Sequence, residues 1–263
     1  MNQSFGGFTV VHEVSVGDIL SRSYYLLGLN PVVYLGLPLI SILPVMIAGA
    51  RLTYLGDWAM IFGAAMLSLL LGLCLQGAVA YAVYMGLRGE RAGFWESLSR
   101  GLTRVLSILG AAILTGFAFN GCFLVLTAAF MTGNGAVMVI GFLAFLFLVA
   151  LLWCMLSVTI PVCVVEKKGP MASMNRSSEL TKGYRLKIFA LGLIMVIGFG
   201  IFNGLVAFLL GLVIDSYMIS HVIGSILGVL PISFIAVALA VTYYELLAAK
   251  EGLTLDKLAG IFD

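Results

Sequence analysis

The chain has 263 residues, of which 62% are hydrophobic and only 10% are charged, and its net charge at pH 7 is +2. A soluble domain of this length needs far more polar surface, so the composition excludes that class and indicates an integral membrane protein. The cations form no patch away from the flanks of apolar segments, which excludes a nucleic-acid-binding protein.

The first apolar segments follow an amphipathic helix. Val16–Leu29 has apolar residues at helical spacing, which predicts a helix lying on the membrane surface. A first span is predicted at about 31–50, where Pro38 and Pro44 predict a kink or an interruption. A second, long span is predicted at about Trp58–Leu87.

The middle of the chain has the same order of segments. A second amphipathic helix is predicted at 94–105, with Phe94, Leu98 and Leu102 on its apolar face. Two further spans are predicted at about 106–131 and 136–165, and a Gly-containing turn joins them.

A polar stretch, residues 166–187, follows and contains six of the fourteen Lys and Arg. Gly169-Pro170 predicts the start of a helix within it, and Lys182-Gly183 predicts its end. Two more spans are predicted at about 188–214 and 221–248, and residues 253–263 form a last amphipathic segment.

These segments predict an all-α integral membrane protein with six transmembrane helices, folded as a single membrane domain over residues 1–263. Thirteen of the fourteen cations fall on one side of the predicted topology, and only Arg51 falls on the other. The positive-inside rule therefore places both termini in the cytoplasm. Because the first thirty residues lack the blocks of a cleavable signal peptide, the first span is expected to be retained.

The surface helices are related in sequence. Ile19-Leu-Ser-Arg-Ser, Ser97-Leu-Ser-Arg-Gly and Ser173-Met-Asn-Arg-Ser align on Arg22, Arg100 and Arg176, which are 78 and 76 residues apart. This predicts three repeats of a surface helix plus a helical hairpin, at about 16–92, 93–168 and 169–252, with 253–263 as a vestigial fourth start. The alternative is that short Arg-bearing helices precede spans only for topological reasons.

Four cations are the candidate binding residues. Arg22, Arg100, Arg176 and Lys182 lie on the predicted cytoplasmic surface, where they are candidates to bind the phosphate of a lipid headgroup. The alternative interpretation is non-specific attraction of these cations to an anionic leaflet.

Three amides lie deep in the predicted spans. Gln76, Asn120 and Asn203 are candidates to line a polar cavity, and the alternative is that they form hydrogen bonds between helices. A continuous polar cavity lined by these amides would favour transport. An apolar cavity that opens sideways to the bilayer, beneath the arginines, would favour lipid handling.

The sequence indicates no enzyme. Cys74, Cys122, Cys154 and Cys163 lie in apolar segments without a CxxC pair and are expected to be small buried hydrophobes. With only two His and no phosphate loop, nucleophile elbow or HExxH motif, we predict no catalytic residues, no metal and no cofactor.

Gly169-Pro170 and Asn175-Arg-Ser-Ser-Glu-Leu-Thr-Lys-Gly183 resemble the signature of the glycerophosphodiester phosphodiesterase membrane-domain family, which includes YciC-type proteins of bacterial inner membranes. Val16-Gly-Asp-Ile-Leu-Ser-Arg-Ser, followed by Asn30-Pro31, also resembles the start of that family. The soluble phosphodiesterase that gives the family its name has no counterpart here, since neither His12 nor His221 begins a His-Arg-Gly motif.

The resemblance implies a multi-pass protein of the bacterial inner membrane that handles phospholipids or glycerophosphodiesters without hydrolysing them. Its expected partners are membrane lipids with anionic headgroups, and a membrane-protein partner if the chain serves as a subunit. The alternative function is a small-solute transporter or channel with a pore between the repeats. A membrane-embedded lipid hydrolase ranks last, because the chain lacks catalytic groups.

Overall fold

The computed structural model describes residues 4–5, 8–9, 14–55 and 58–251, and the side chains of residues 14–49 and 59–251. Two short antiparallel strands, β1 (Ser4–Phe5) and β2 (Phe8–Thr9), precede the helices. The helices are α1 (Val16–Leu29), α2 (Pro31–Leu55), α3 (Trp58–Leu87), α4 (Phe94–Leu102), α5 (Val105–Met131), α6 (Gly135–Leu156), α7 (Thr159–Val165), α8 (Pro170–Thr181), α9 (Arg185–Val213), α10 (Tyr217–Leu227) and α11 (Val229–Glu251). The predicted amphipathic segment 253–263 lies outside the described residues.

Within the described residues, six segments are long and apolar enough to cross a membrane, as the sequence predicts. They are Pro31–Gly49, Ala59–Leu87, Val105–Met131, Gly135–Val165, Arg185–Val213 and Tyr217–Glu251. The 30 residues of α3 extend for about 45 Å, more than the roughly 30 Å of a hydrocarbon core. The all-α, multi-pass architecture is therefore confirmed.

Two spans that the sequence presents as continuous are divided. The fourth span breaks at Ser157–Val158 between α6 and α7, and the sixth breaks at Gly228 between α10 and α11. In each case the third residue of the second helix is a proline, Pro161 or Pro231. A proline lacks the N–H of the helical ladder and its ring crowds the carbonyl four residues earlier, so the helix restarts just before it.

The first span behaves differently, because α2 is one helix that contains both Pro38 and Pro44. Local hydrogen bonds support it there: the Ser41 hydroxyl donates to the Pro38 carbonyl at 2.6 Å, and the Val45 N–H donates to Ser68 Oγ of α3 at 3.2 Å. Of the two predicted outcomes, the interruption is therefore not observed.

The second surface helix is shorter than predicted, since α4 ends at Leu102 rather than at residue 105. Its buried residues are Ser97 and Gly101, whereas Leu102 is 50% exposed. A Cβ on Gly101 would lie only 2.6 Å from the backbone nitrogen of Ala78, so α4 packs with its smallest residue directly on α3. Phe94 and Leu98 of the predicted apolar face are partly buried against the core, so only Leu102 departs from the prediction.

The core lies at the end of the bundle where α1, α4 and α8 are found, which we call the basic end. Residues 78–84 of α3 and 237–247 of α11 are buried without interruption there. All twelve Lys and Arg whose side chains are described lie at this end. Towards the opposite end, α5, α6 and α9 expose apolar side chains such as Phe117, Phe147 and Phe208, as contact with lipid tails requires.

Candidate functional site

The three aligned arginines occupy different environments at the basic end. Arg22 of α1 forms an ion pair with Glu245 of α11, and the two side chains are only 13% and 9% exposed. This pair connects the first surface helix to the last transmembrane helix. The charge of Arg22 is thus matched within the protein.

Arg176 of α8 belongs to a larger cluster around Glu166. Its Nε donates to both carboxylate oxygens of Glu166 at 3.0 and 3.1 Å, and its Nη2 pairs with Glu251 at the end of α11. Lys168 Nζ lies 2.6 Å from the same carboxylate, and the Tyr243 hydroxyl donates to it at 3.3 Å. Burial lowers the pKa of Arg176, but hydrogen bonds with Glu251 and Glu166 outweigh it, so the pKa is raised above its usual value.

Arg100 of α4 is exposed and lies over the ring of Tyr81, with 5.8 Å between the guanidinium carbon and the ring centroid. The Tyr81 hydroxyl in turn donates to Glu96 at 2.5 Å. Arg100 also lines a polar pocket of about 180 Å³, which we call the basic pocket. Its lining residues are Arg100, Thr103, Arg104, Val164 and Lys167, so the described part of the pocket wall carries three cations and no carboxylate.

The backbone at Lys167 directs its side chain to the basic pocket. Lys167 has a φ of +53°, in the left-handed region, where a side chain with a Cβ costs about 1 kcal/mol or more. The neighbouring Lys168 pairs with Glu166, whereas Lys167 lines the pocket with Arg100 and Arg104. The strained turn therefore separates two adjacent lysines into two different charge environments.

Small residues of α3 bring the walls of the basic pocket together. Gly101 of α4 rests on Ala78, as described above, and a Cβ on Gly77 would lie 2.9 Å from Val164 of α7 and 3.1 Å from Ile108 of α5. Four helices can approach at this point only because no side chain occupies position 77. Arg100, Arg104 and Lys167 are held by elements that pack on this one turn of α3.

An apolar cavity of about 430 Å³ lies next to the basic pocket, between α3, α5, α6 and α7. Leu156 and Thr159, on either side of the α6–α7 break, both line it. Two of its other lining residues, Leu70 and Ile113, are 45% and 59% exposed, so the cavity opens sideways on the bundle. Two further apolar cavities, of about 390 and 400 Å³, have no Lys or Arg in their walls.

The remaining predicted site residues do not converge on one place. Lys182 is exposed at the end of α8, outside the basic pocket. Gln76 lines the 390 Å³ cavity between α2, α3 and α11. Asn120 is exposed on α5, and the exposed Asn203 of α9 donates to the Phe199 carbonyl of its own helix at 2.8 Å. The four buried cysteines are unpaired, which confirms their expected role as small hydrophobes.

Sequence reasoning missed Arg104, Lys167 and the glutamates that pair with Arg22 and Arg176. Two signals were available: Arg104 follows Arg100 at i+4, and Glu245 is the one charged residue within the predicted span 221–248. Nothing in the sequence reveals the left-handed turn at Lys167, because glycine or asparagine is the usual sign of that conformation.

Protein-family models, curated proteins and solved structures were compared with the chain, and none matches it. Its function must therefore be argued from the geometry of the basic end.

Proposed function

We propose that this protein is a non-enzymatic inner-membrane module that binds anionic phospholipids or glycerophosphodiesters from the cytoplasmic side, through a phosphate held in the basic pocket. The observation that carries this proposal is the wall of the pocket, in which Arg100, Arg104 and Lys167 face a space of about 180 Å³ with no acidic lining residue. Guanidinium groups bind phosphate oxygens in a bidentate way, and a lysine adds a point charge.

The geometry favours the second surface helix over the first and third as the headgroup site. Of the three aligned arginines, Arg100 lines the basic pocket, whereas Arg22 and Arg176 do not line it and are largely buried. We therefore assign the lipid to Arg100, and assign Arg22 and Arg176 to holding α1 and α8 against α11.

We also infer that the chain is built from three repeats and belongs to the membrane-domain family that its motifs resemble, without the soluble phosphodiesterase. Burial of equivalent residues supports the repeats. The residue three before each arginine is buried (Ile19, Ser97 and Ser173), and so is the residue after it (Ser23, Gly101 and Ser177). Four residues after the arginine, units one and three bury Leu26 and Leu180, whereas unit two has Arg104.

Apolar cavities favour lipid handling over solute transport. The cavity below the basic pocket is lined mainly by leucine, isoleucine and alanine and opens sideways, and Gln76, Asn120 and Asn203 share no described cavity. A water-soluble solute would need a continuous polar path, whereas a lipid needs an apolar side opening.

The test compares two double variants that each remove two positive charges. Arg100→Gln with Arg104→Gln alters the basic pocket, and Arg91→Gln with Lys187→Gln alters exposed cations outside it. Mass spectrometry after gentle purification should show at least tenfold less anionic phospholipid on the pocket variant, with wild-type amounts on the control. Equal losses would mean non-specific attraction to the leaflet, and no loss on the pocket variant would contradict the proposal.

A further inference from the structure

The apolar cavity and the basic pocket follow one another along the same pair of helices. On α7, Val164 lines the basic pocket and Ile160 lines the cavity, four residues or about 6 Å further into the bundle. Arg104, the residue just before α5, lines the basic pocket, and Leu109 of α5 lines the cavity, about 7 Å further along. Val164 and Ile160 also meet in one small apolar cluster, in which Ile160 packs against the buried Ile108, Cys163 and Val164.

We propose that a single anionic glycerophospholipid spans both spaces, with its phosphate in the basic pocket and one acyl chain in the apolar cavity. This inference rests on the proposed function and adds the lipid's chain to it. The glycerol and ester linkage of such a lipid would cover the rise of about 6–7 Å along the helices between the lining residues of the two spaces. A cavity of about 430 Å³ falls within the size range of ligand-binding pockets in general.

The lining of the cavity suits an acyl chain that enters from the bilayer. Ala112 and Gly116 on α5 leave room along that helix, and a Cβ on Gly116 would meet no other atom within 4 Å. The exposed Leu70 and Ile113 at its opening allow entry from the side, without passage through water.

One polar group in the cavity wall has no partner. The hydroxyl of Thr159, the first residue of α7, is buried and has no hydrogen-bond partner in the described part of the chain. Most buried hydroxyls have a partner, because an unpaired one costs free energy. Thr159 is five residues from Val164, or about 7 Å, which is the depth of the ester carbonyls of a lipid whose phosphate lies in the basic pocket.

The α6–α7 break contributes directly to this site. Leu156 and Thr159, on either side of the break, both line the cavity. If the helix ran without a break through Ser157 and Val158, its wall would be continuous between them. The break imposed by Pro161 therefore shapes the cavity at the depth where the lipid's ester groups would lie.

The first measurement uses the wild-type protein in nanodiscs. Phosphatidylglycerol with a photoreactive diazirine in the middle of one chain is cross-linked, and the modified residues are mapped by mass spectrometry. We expect labelling of α5 between Leu109 and Phe119 and of the start of α7, with competition by unlabelled phosphatidylglycerol but not by phosphatidylcholine. Labelling confined to outward-facing residues of other helices, or unaffected by competition, would overturn the inference.

The second measurement uses a matched pair of glycines on α5. Gly116 lines the cavity and Gly121 does not, yet both are exposed and neither would place a Cβ within 4 Å of another group. In nanodiscs of phosphatidylcholine titrated with phosphatidylglycerol, Gly116→Phe should weaken binding of the anionic lipid at least tenfold. Gly121→Phe should leave the Kd unchanged.

A soluble ligand separates the inference from the proposed function. Arg104→Gln should weaken binding of both phosphatidylglycerol and the chain-free glycerophosphoglycerol, whereas Gly116→Phe should affect only the lipid. If Arg104→Gln weakens lipid binding and Gly116→Phe does not, the inference fails and the proposed function stands. If neither variant weakens it, both fail. If the Gly116→Phe variant does not fold, the residues labelled in the cross-linking experiment on the wild-type protein test the inference instead.

Discussion

Individual residues distinguish three arginines that look equivalent in the sequence. Arg22 and Arg176 are held by glutamates that lie far from them along the chain, at Glu245 and at Glu166 with Glu251. Arg100 lies over Tyr81 and lines a pocket shared with Arg104 and Lys167. The shared motif thus has a packing role at Arg22 and Arg176, and we assign it a binding role at Arg100.

Lys167 gives a test in which stability and binding change in opposite directions. Lys167→Gly removes the Cβ from a left-handed residue, so we expect the free energy of unfolding to rise by about 0.5–1 kcal/mol. The same change removes a cation from the basic pocket, so retention of anionic phospholipid should fall.

The control for this prediction is Lys167→Gln, which removes the charge but keeps the strained backbone. It should bind lipid as weakly as the glycine variant without the gain in stability, as measured by SDS titration in mixed micelles. A glycine variant that retains wild-type lipid would show that Lys167 has no part in binding.

At the scale of elements, α11 organises the basic end. Through Glu245 it holds α1, through Glu251 it holds α8, and through Tyr244, 6.2 Å from Tyr84 between ring centroids, it packs against α3. Tyr243 extends this contact to Glu166. The helices α1 and α8 are therefore attached to α11 by buried or partly buried ion pairs.

The Arg22–Glu245 pair predicts a large effect of a small change. Glu245→Gln removes the carboxylate of a pair whose side chains are only 13% and 9% exposed, so we expect a loss of about 3–5 kcal/mol in the free energy of unfolding. Arg22→Met combined with Glu245→Met should restore most of the loss, because two apolar side chains leave no unpaired charge.

The matched control is Glu90→Gln, which breaks the exposed Arg88–Glu90 pair at 3.7 Å and should change stability by less than about 0.5 kcal/mol. Similar losses of stability from Glu245→Gln and Glu90→Gln would show that the buried Arg22–Glu245 pair contributes no more to the free energy of unfolding than the exposed Arg88–Glu90 pair.

The whole molecule has a strong asymmetry of charge and packing between its two ends. The described cations and the main core lie together at the basic end, whereas the opposite ends of α5, α6 and α9 expose apolar side chains. This arrangement keeps the well-packed, polar part of the fold at one membrane surface.

The positive-inside rule then predicts the orientation of the protein in the membrane. Green fluorescent protein fused after residue 263 should fluoresce, and alkaline phosphatase fused there should be inactive, because both report a cytoplasmic location. Alkaline phosphatase inserted in the turn at residues 132–134 should be active. The reverse pattern would place the basic pocket on the outer surface and contradict the proposed cytoplasmic binding of lipid.

The sequence alone determined the class, the number of spans and the position of the surface helices, because these follow from local properties. A run of about twenty apolar residues has no stable place outside a bilayer, and Gly or Pro at its ends marks its limits. The buried cysteines follow from the same pattern. The buried residues of α1 and α8 also stand at equivalent positions relative to Arg22 and Arg176.

Only the tertiary structure decided which charges meet. Glu245 lies 223 residues from Arg22 along the chain, a pairing that no periodic pattern encodes. The basic pocket depends on a left-handed backbone at Lys167, and the burial of Gly101 depends on its contact with Ala78. Helical periodicity places a side chain on a face of its own helix, but its partner depends on how the helices pack against one another. That is why Arg22, Arg100 and Arg176 look alike in the sequence and differ in the folded protein.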